Sequence, residues 1–202
     1  MSFALKGFII GLAIAAPVGP IGVLCIRRTL AAGRMVGFLS GLGAATADMI
    51  YGAIAAFGLT AVQAVLVGQQ YWLRLIGGTF LLYLGASTFL ARPAASAAQA
   101  RTSTSPLSAY LSTLGLTLTN PATIISFTVV FAGLQLADTH GNAFAATALV
   151  VGVFLGSVTW WLALSGMVGL LRERFSAAWM LWVNRLAGAI IFAFGAAAVL
   201  TA

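Results

Sequence analysis

Apolar stretches separated by short polar connections make up most of the chain. Crossing the roughly 30 Å hydrocarbon layer of a bilayer takes roughly 20 helical residues. Six stretches reach or approach that length, and each predicts one membrane-spanning helix: residues 4–26, 36–59, 71–90, 107–134, 143–170 and 183–201. The fourth and fifth are long for a single crossing, which predicts that both are tilted or broken.

The apolar stretches also repeat along the chain. Residues 73–90 read LRLIGGTFLLYLGASTFL and residues 183–200 read VNRLAGAIIFAFGAAAVL, which places Gly78 over Gly188. A second set of three residues recurs at one spacing in the opening stretch of each half: Gly11, Leu12 and Pro17, then Gly115, Leu116 and Pro121. Two halves of three spans each must be oppositely oriented in the bilayer, which is how many secondary transporters achieve alternating access.

A linker separates the two halves. Residues 91–106 are rich in Ala, Ser and Thr, carry two prolines and show no apolar periodicity. The sequence therefore predicts a single transmembrane domain, with repeat one over about residues 1–91 and repeat two over about residues 107–202. The predicted fold is an all-α integral membrane protein with six transmembrane helices in two inverted three-helix repeats.

Composition supports a membrane protein. Of the 202 residues, 61% are hydrophobic and 6% are charged, so a soluble globule would lack the polar side chains to cover its surface. The formal net charge of +7 is a property of many nucleic-acid binders. Here the positive residues form no patch but sort into predicted loops, so the expected surroundings are the lipid bilayer and no nucleic acid.

The positive residues also predict an orientation, because Lys and Arg near span ends are retained in the cytoplasm. Eight of the ten fall in or beside the first, third and fifth connections: Arg27, Arg28, Arg34, Arg92, Arg101, Arg172, Arg174 and Arg185. Only Lys6 and Arg74 lie on the other side. Both termini are therefore predicted outside the inner membrane. A cleaved signal peptide at the N-terminus is a competing interpretation, but the apolar character continues to Ile26.

Two proline motifs interrupt the predicted spans. Pro17, Gly19 and Pro20 lie past the middle of the first span, and Asn120 and Pro121 lie within the fourth. Each proline removes a backbone donor and clashes with the preceding turn, so both helices are predicted to break there. Broken helices in a membrane line protein or a cavity, where helix N-termini and free carbonyls present opposite partial charges. A zwitterion fits such a pair, although kinks for packing alone would also explain the prolines.

Asp48 is the only carboxylate within an apolar stretch and lies near the middle of the second span. Such a placement costs several kcal/mol on insertion scales, so the residue is expected to face a cavity and to have a task or a partner. It suits a proton-coupling group or the counter-charge to an amino group. The alternative is a protonated residue that bonds to Thr46 or Tyr51 and serves packing alone.

Together these motifs resemble the LysE/RhtB-type amino-acid exporters. The motifs that carry the resemblance cover nearly the whole chain: P-x-G-P at 17–20, AGR at 32–34, GLGAATADMIYG at 41–52, FGL at 57–59, LTNP at 118–121, G-x-x-x-G at 152–156 with Trp160 and Trp161, and Asn184 with Gly188 and Gly195. The resemblance implies a bacterial inner-membrane exporter of amino acids or related metabolites, driven by the proton gradient or the membrane potential.

By position, the resemblance also implies functional residues: Pro17, Gly19 and Pro20 in the first motif, Asp48 as the second-span acid, and Asn120 and Pro121 in the fourth-span motif. Two departures lie beside them. Many members have Asn or Asp where this chain has Ile21, and many have Lys after Asn-Pro, where it has Ala122 and Thr123. Both changes make the site less polar, which argues against a basic amino-acid substrate.

Other functions fit the sequence less well. A metal-cation exporter on the same architecture should carry several carboxylates, Cys or His residues within its spans, and only Asp48 qualifies, so no metal or cofactor is predicted. An enzyme would need a nucleophile with a base or a metal cluster, so none is predicted. A non-transporting partner protein stays open. So does a homo-oligomer, because the G-x-x-x-G spacings allow close helix contacts within or between chains.

Overall fold

The computed structural model describes residues 2–17, 19–57, 68–91, 105–120, 122–127, 142–171 and 177–202, the last of these from residue 179 where side chains are concerned. All regular structure in these residues is helical, as the sequence predicts. The helices are α1 (Phe3–Ala15), α2 (Pro20–Ala32), α3 (Arg34–Ala56), α4 (Gln70–Leu90), α5 (Pro106–Leu118), α6 (Ala143–Leu171) and α7 (Ala177–Leu200), with a further helical segment at residues 122–127.

Four of these helices, α3, α4, α6 and α7, are long and apolar enough to cross a membrane. The pair α1 and α2, bent by 79° at its break, adds a fifth if it forms one span. The count is thus four or five among the described residues, against the six predicted. The difference lies in the fourth span, because the 13 residues of α5 reach only about 20 Å and residues 128–141 lie outside the described part.

The connection between the first two spans differs from the prediction. Arg27 and Arg28 were expected in a basic loop, but α2 continues through both and ends only at Ala32. The loop is Gly33 alone, with a φ of 104°, a backbone conformation that glycine adopts without strain. This single residue allows α3 to begin at Arg34, and it leaves Arg28 on the helix, where its side chain is buried.

Polar and apolar side chains are distributed as a lipid environment requires. Large apolar side chains such as Phe144 and Leu200, each 85% exposed, point outward. Most of the described buried hydroxyls donate to the carbonyl one turn earlier on their own helix, as Thr29 does to Cys25. Because hydrocarbon offers no hydrogen-bond partners, this internal pairing satisfies hydroxyls that would otherwise lack an acceptor inside a bilayer.

Glycines allow α1 and α6 to pack backbone against backbone. Gly7 and Gly11 lie on α1, and Gly152 and Gly156 lie on α6; a Cβ added to any of them would overlap a carbonyl oxygen of the other helix. The contact partners advance together along both helices, so the pair is parallel. The two G-x-x-x-G spacings therefore serve an interface within this chain.

The contacts between α4 and α7 follow the sequence repeat. Gly85 packs on the backbone of Phe192, and Gly195 packs on the backbone of Leu82. One offset of 110 residues separates Gly85 from Gly195 and also Leu82 from Phe192. Partners early on one helix lie late on the other, so the pair is antiparallel. The same glycine contact is thus made twice: once by a glycine of α4 on the backbone of α7, and once by a glycine of α7 on the backbone of α4.

Helix α3 is central because it packs against α2, α5 and α6. It is parallel to α5, since Thr46 contacts Tyr110 and Tyr51 contacts Leu118 further along both helices. It is antiparallel to α6. This packing places the middle of α3, which carries Asp48, beside the break between α1 and α2 and the end of α5.

Candidate functional site

A central cavity of about 240 Å³ lies where the break between α1 and α2 faces the middle of α3 and the end of α5. Among the described residues it is lined by Ile14, Ala15, Pro17, Gly19, Pro20, Ile21, Gly22, Ala44, Asp48, Thr117, Asn120, Ala122, Thr123, Ser126, Trp161 and Phe194. Its volume exceeds the roughly 150 Å³ of an apolar cavity that holds benzene. The space is therefore large enough for a small metabolite.

Five of the six residues predicted for the site line this cavity: Pro17, Gly19, Pro20, Asp48 and Asn120. Pro121, the sixth, lies outside the described residues. The structure thus brings the first proline motif, the second-span acid and the fourth-span asparagine to one place, although up to 103 residues separate them in sequence.

Asp48 is buried, with 3% of its surface exposed. Its Oδ2 atom accepts a hydrogen bond of 2.7 Å from Ser157 Oγ, and Ser157 Oγ accepts one of 3.1 Å from Trp161 Nε1. The alternative partners considered from the sequence, Thr46 and Tyr51, instead donate to the carbonyls of other residues. Asp48 therefore has one neutral partner on α6 and no cation beside it among the described residues.

The N-terminus of α2 supplies the opposite partial charge. Pro20 is its first residue, Gly19 caps it in an extended conformation, and no side chain accepts from its first turn. The backbone N–H groups of Ile21 and Gly22 belong to that turn and have no partner within the helix. Since both residues line the cavity, the cavity holds a carboxyl group and a helix N-terminus together.

Asn120 has two functions at the end of α5. Its Oδ1 atom accepts a hydrogen bond of 3.2 Å from the N–H of Ala122, and its backbone carbonyl accepts from Thr123 and Ile124. It therefore caps the helical segment of residues 122–127. Its Nδ2 atom donates to none of the described residues, so the amide remains able to donate to a ligand in the cavity.

Arg28 joins three helices on one side of the site. Its Nη1 atom lies 3.0 Å from Ser40 Oγ, 3.0 Å from the Ala109 carbonyl oxygen and 2.8 Å from Thr113 Oγ1, while Nη2 lies 2.8 Å from Ser112 Oγ. We call these five residues the Arg28 cluster. All four acceptors are neutral, and no carboxylate among the described residues contacts the guanidinium. The cluster joins α2 to α3 and α5 one to two helical turns from the residues that line the cavity.

Sequence reasoning missed three contributors to the site. Trp161 is part of a motif but not of the predicted site, yet it lines the cavity and donates a hydrogen bond to Ser157. Gly41 makes room for it, because an added Cβ there would overlap the Trp161 side chain. Ser157 directly follows the G-x-x-x-G motif at residues 152–156. A hydroxyl beside a motif for close helix packing is the signal that the sequence offered.

Comparison with known proteins agrees with the motifs. The model of the LysE type translocator family matches residues 12–202, which is nearly the whole chain and includes every motif of the site. No curated protein and no solved structure matches the chain. Together with the apolar helices, this match makes the chain a multi-pass membrane protein of a transporter family. The protein belongs to the LysE type translocator family.

Proposed function

We propose that this protein is a secondary transporter that exports amino acids or related small metabolites across the bacterial inner membrane, coupled to the proton gradient or the membrane potential. The observation that carries the proposal is the central cavity, where Asp48 and two helix breaks meet. Broken helices that line a midplane cavity are typical of substrate sites in secondary transporters.

The chemistry of the cavity favours a small zwitterion. The N-terminus of α2 suits a carboxylate, and Asp48 suits an amino group or a proton. The remaining lining is mostly apolar, with the hydroxyls of Thr117, Thr123 and Ser126 among it. A ligand with two small charged ends and a short apolar side chain therefore matches the site better than a long basic one.

The relative directions of the helices support two inverted repeats. The pairs α1–α6 and α3–α5 are parallel, whereas α3–α6 and α4–α7 are antiparallel. Six spans that alternate in direction produce this set of relations when α1 with α2 forms span one and α5 opens span four. Exchange of the two halves then converts each pair into its counterpart, which is the symmetry that alternating access uses.

Transport into everted membrane vesicles tests the proposal. Vesicles with the protein should accumulate at least one labelled amino acid or derivative from a panel, and dissipating the proton gradient or the potential should lower that uptake. Uptake equal to that of vesicles without the protein, across the whole panel and with the protein present in the membrane, would contradict the proposal.

Asp48 provides the sharper variant. Asp48→Asn keeps the size of the side chain but cannot take up or release a proton, so it should abolish gradient-driven transport while membrane abundance stays normal. Asp48→Glu keeps an ionisable group and serves as the matched control. Wild-type transport by Asp48→Asn at every pH would remove Asp48 from the coupling step.

A further inference from the structure

A second cavity of about 430 Å³ adjoins the central one. It lies among α4, the end of α5 and the last turns of α7, and we call it the Arg74 cavity. Four described residues line both cavities: Pro20, Asn120, Ala122 and Phe194. The two spaces are therefore separated by a wall that contains one residue from each proline motif. A ligand that leaves the central cavity past Asn120 enters the Arg74 cavity.

Arg74 is the charged residue of this second cavity among the described ones. Its Nη1 atom donates to the carbonyl of Thr201 at 2.5 Å, and its Nη2 atom makes a long contact of 3.5 Å with Gln70 Oε1. Its Nε atom is buried and has no acceptor among the described residues. A buried donor without a partner is unfavourable, so the guanidinium has hydrogen-bonding capacity that the described residues leave unused.

An arginine with unused adjacent donors, at the edge of a cavity that is otherwise mainly apolar, matches a carboxylate. The Nε and Nη2 atoms of a guanidinium form a fork that binds both oxygens of a carboxylate. A ligand carboxylate there would supply the acceptor that Nε lacks and would replace the long contact with Gln70. No ion pair between Arg74 and a carboxylate occurs among the described residues.

We infer that the Arg74 cavity is a second substrate site that binds the carboxylate of a small apolar solute next to the central cavity. The inference rests on the proposed function for the direction of movement, and it extends that function to a substrate class: solutes with a carboxylate and a compact apolar group. Arg74 would then hold the substrate by one end after it has passed Asn120.

Binding by the purified full-length protein in detergent tests the inference directly. Titration calorimetry compares butyrate with butyramide and L-leucine with L-leucinamide; in each pair a carboxylate is replaced by a neutral amide of similar size. The wild type should bind the carboxylates more tightly than the amides, and Arg74→Gln should weaken carboxylate binding about ten-fold or more, because a charge-assisted fork is lost. Arg74→Lys keeps the charge without the fork and should show an intermediate loss.

Arg185→Gln is the matched control, because it removes one positive charge from an exposed residue of α7 that lines neither cavity. It should bind every probe like the wild type. Equal weakening of butyrate and butyramide by Arg74→Gln would show that Arg74 only caps α7 through Thr201 and would overturn the inference. No carboxylate binding by the wild type would overturn it as well.

Three further outcomes separate this inference from the proposed function and from a lipid site. If vesicles transport normally but carboxylate binding does not depend on Arg74, the inference is refuted and the proposed function stands. If carboxylate binding depends on Arg74 but vesicles transport nothing, the proposed function is refuted and the second binding site stands. In the third outcome, the protein binds no soluble carboxylate but binds phosphatidylglycerol in mixed detergent micelles, and this binding depends on Arg74. That result would assign the cavity to a lipid headgroup and overturn the inference.

Discussion

The two sides of the central cavity differ in how they use an arginine. On one side Arg28 is buried and bonded to four neutral acceptors on two other helices. On the other side Arg74 adjoins a cavity and has, among the described residues, two contacts and one buried donor without an acceptor. An arginine whose two Nη atoms bond to other helices holds those helices together, whereas one with a buried donor left unused is able to bind a ligand. We therefore expect the structure to be closed at the Arg28 cluster and open toward Arg74.

The largest expected effect is at the closed side. Cys25, the single cysteine of the chain, lies one turn before Arg28 and is 2% exposed. Arg28→Gln removes most of the hydrogen bonds that hold α2 to α3 and α5, each worth about 1.5–3 kcal/mol when charged. Labelling of Cys25 by N-ethylmaleimide in membranes should therefore accelerate roughly ten- to hundred-fold.

Arg185→Gln serves again as the charge-matched control and should label like the wild type. Unchanged Cys25 labelling in Arg28→Gln, with normal membrane abundance, would show that helix packing alone closes this side and would remove the contrast between the two arginines.

A difference in accessibility should separate the two sides directly. In a Cys25→Ser background, Ala197→Cys places a thiol on the wall of the Arg74 cavity, and Thr113→Cys places one within the Arg28 cluster. N-ethylmaleimide, which crosses the membrane and reaches both sides, should label the first on the order of ten-fold faster, because an exposed thiol needs no helix separation. Equal rates, or faster labelling of Thr113→Cys, would contradict the closed and open assignment.

Labelling with an impermeant thiol reagent measures orientation. Eight of ten positive residues lie on one predicted side, so cysteines introduced into residues 94–105 should be shielded from this reagent in intact cells, while cysteines after Leu200 should react. Labelling of residues 94–105 from outside, with the C-terminus protected, would reverse the predicted orientation and place the Arg74 cavity on the cytoplasmic side.

A smaller effect is expected at the wall between the cavities. Asn120→Ala removes both the cap of the 122–127 segment and the amide donors, whereas Asn120→Ser keeps a capping oxygen. Both should weaken amino-acid binding roughly three- to ten-fold through one lost hydrogen bond. Only Asn120→Ala should also lower the free energy of unfolding, by about 1 kcal/mol. A stable Asn120→Ser with wild-type affinity would assign Asn120 to packing.

The smallest effect is expected behind Asp48. Ser157→Ala removes the hydroxyl that donates to Asp48 and accepts from Trp161, which should slow vesicle transport about five-fold through the loss of roughly 1 kcal/mol. Ser165→Ala, on the same helix, removes a buried hydroxyl that donates only to carbonyls of its own helix. If the two variants transport equally, the bond between Ser157 and Asp48 has no role in transport.

The sequence predicted those residues of the site whose placement inside a membrane is energetically unfavourable. Prolines within an apolar stretch and a carboxylate at its middle are unfavourable without a cavity, so Pro17, Pro20 and Asp48 could be recognised singly. Helical structure followed from apolar length alone. These predictions needed no knowledge of which helices are neighbours.

Properties that depend on neighbouring helices could not be predicted in this way. Arg28 looked like a loop residue because a positive charge at the end of an apolar stretch is common, and only α3 and α5 show that it is buried. Arg74 also lies near the end of an apolar stretch, and only the packing of α4 with α5 and α7 shows that it lines a cavity. The bond from Ser157 to Asp48 joins residues 109 positions apart, and no local pattern indicates such a distance.

The exchange of contacts between the two halves has a consequence for biosynthesis. The principal partners of α1, α3 and α4 are α5, α6 and α7, all of which lie after the linker. The glycine face of α4 at Gly85 is completed by Phe192, which leaves the ribosome roughly 5 to 20 s later at ordinary elongation rates. During that interval the first half lies in lipid with its close-packing faces uncovered. Because small residues favour close helix contact in lipid, these faces are accessible to other helices until the second half arrives.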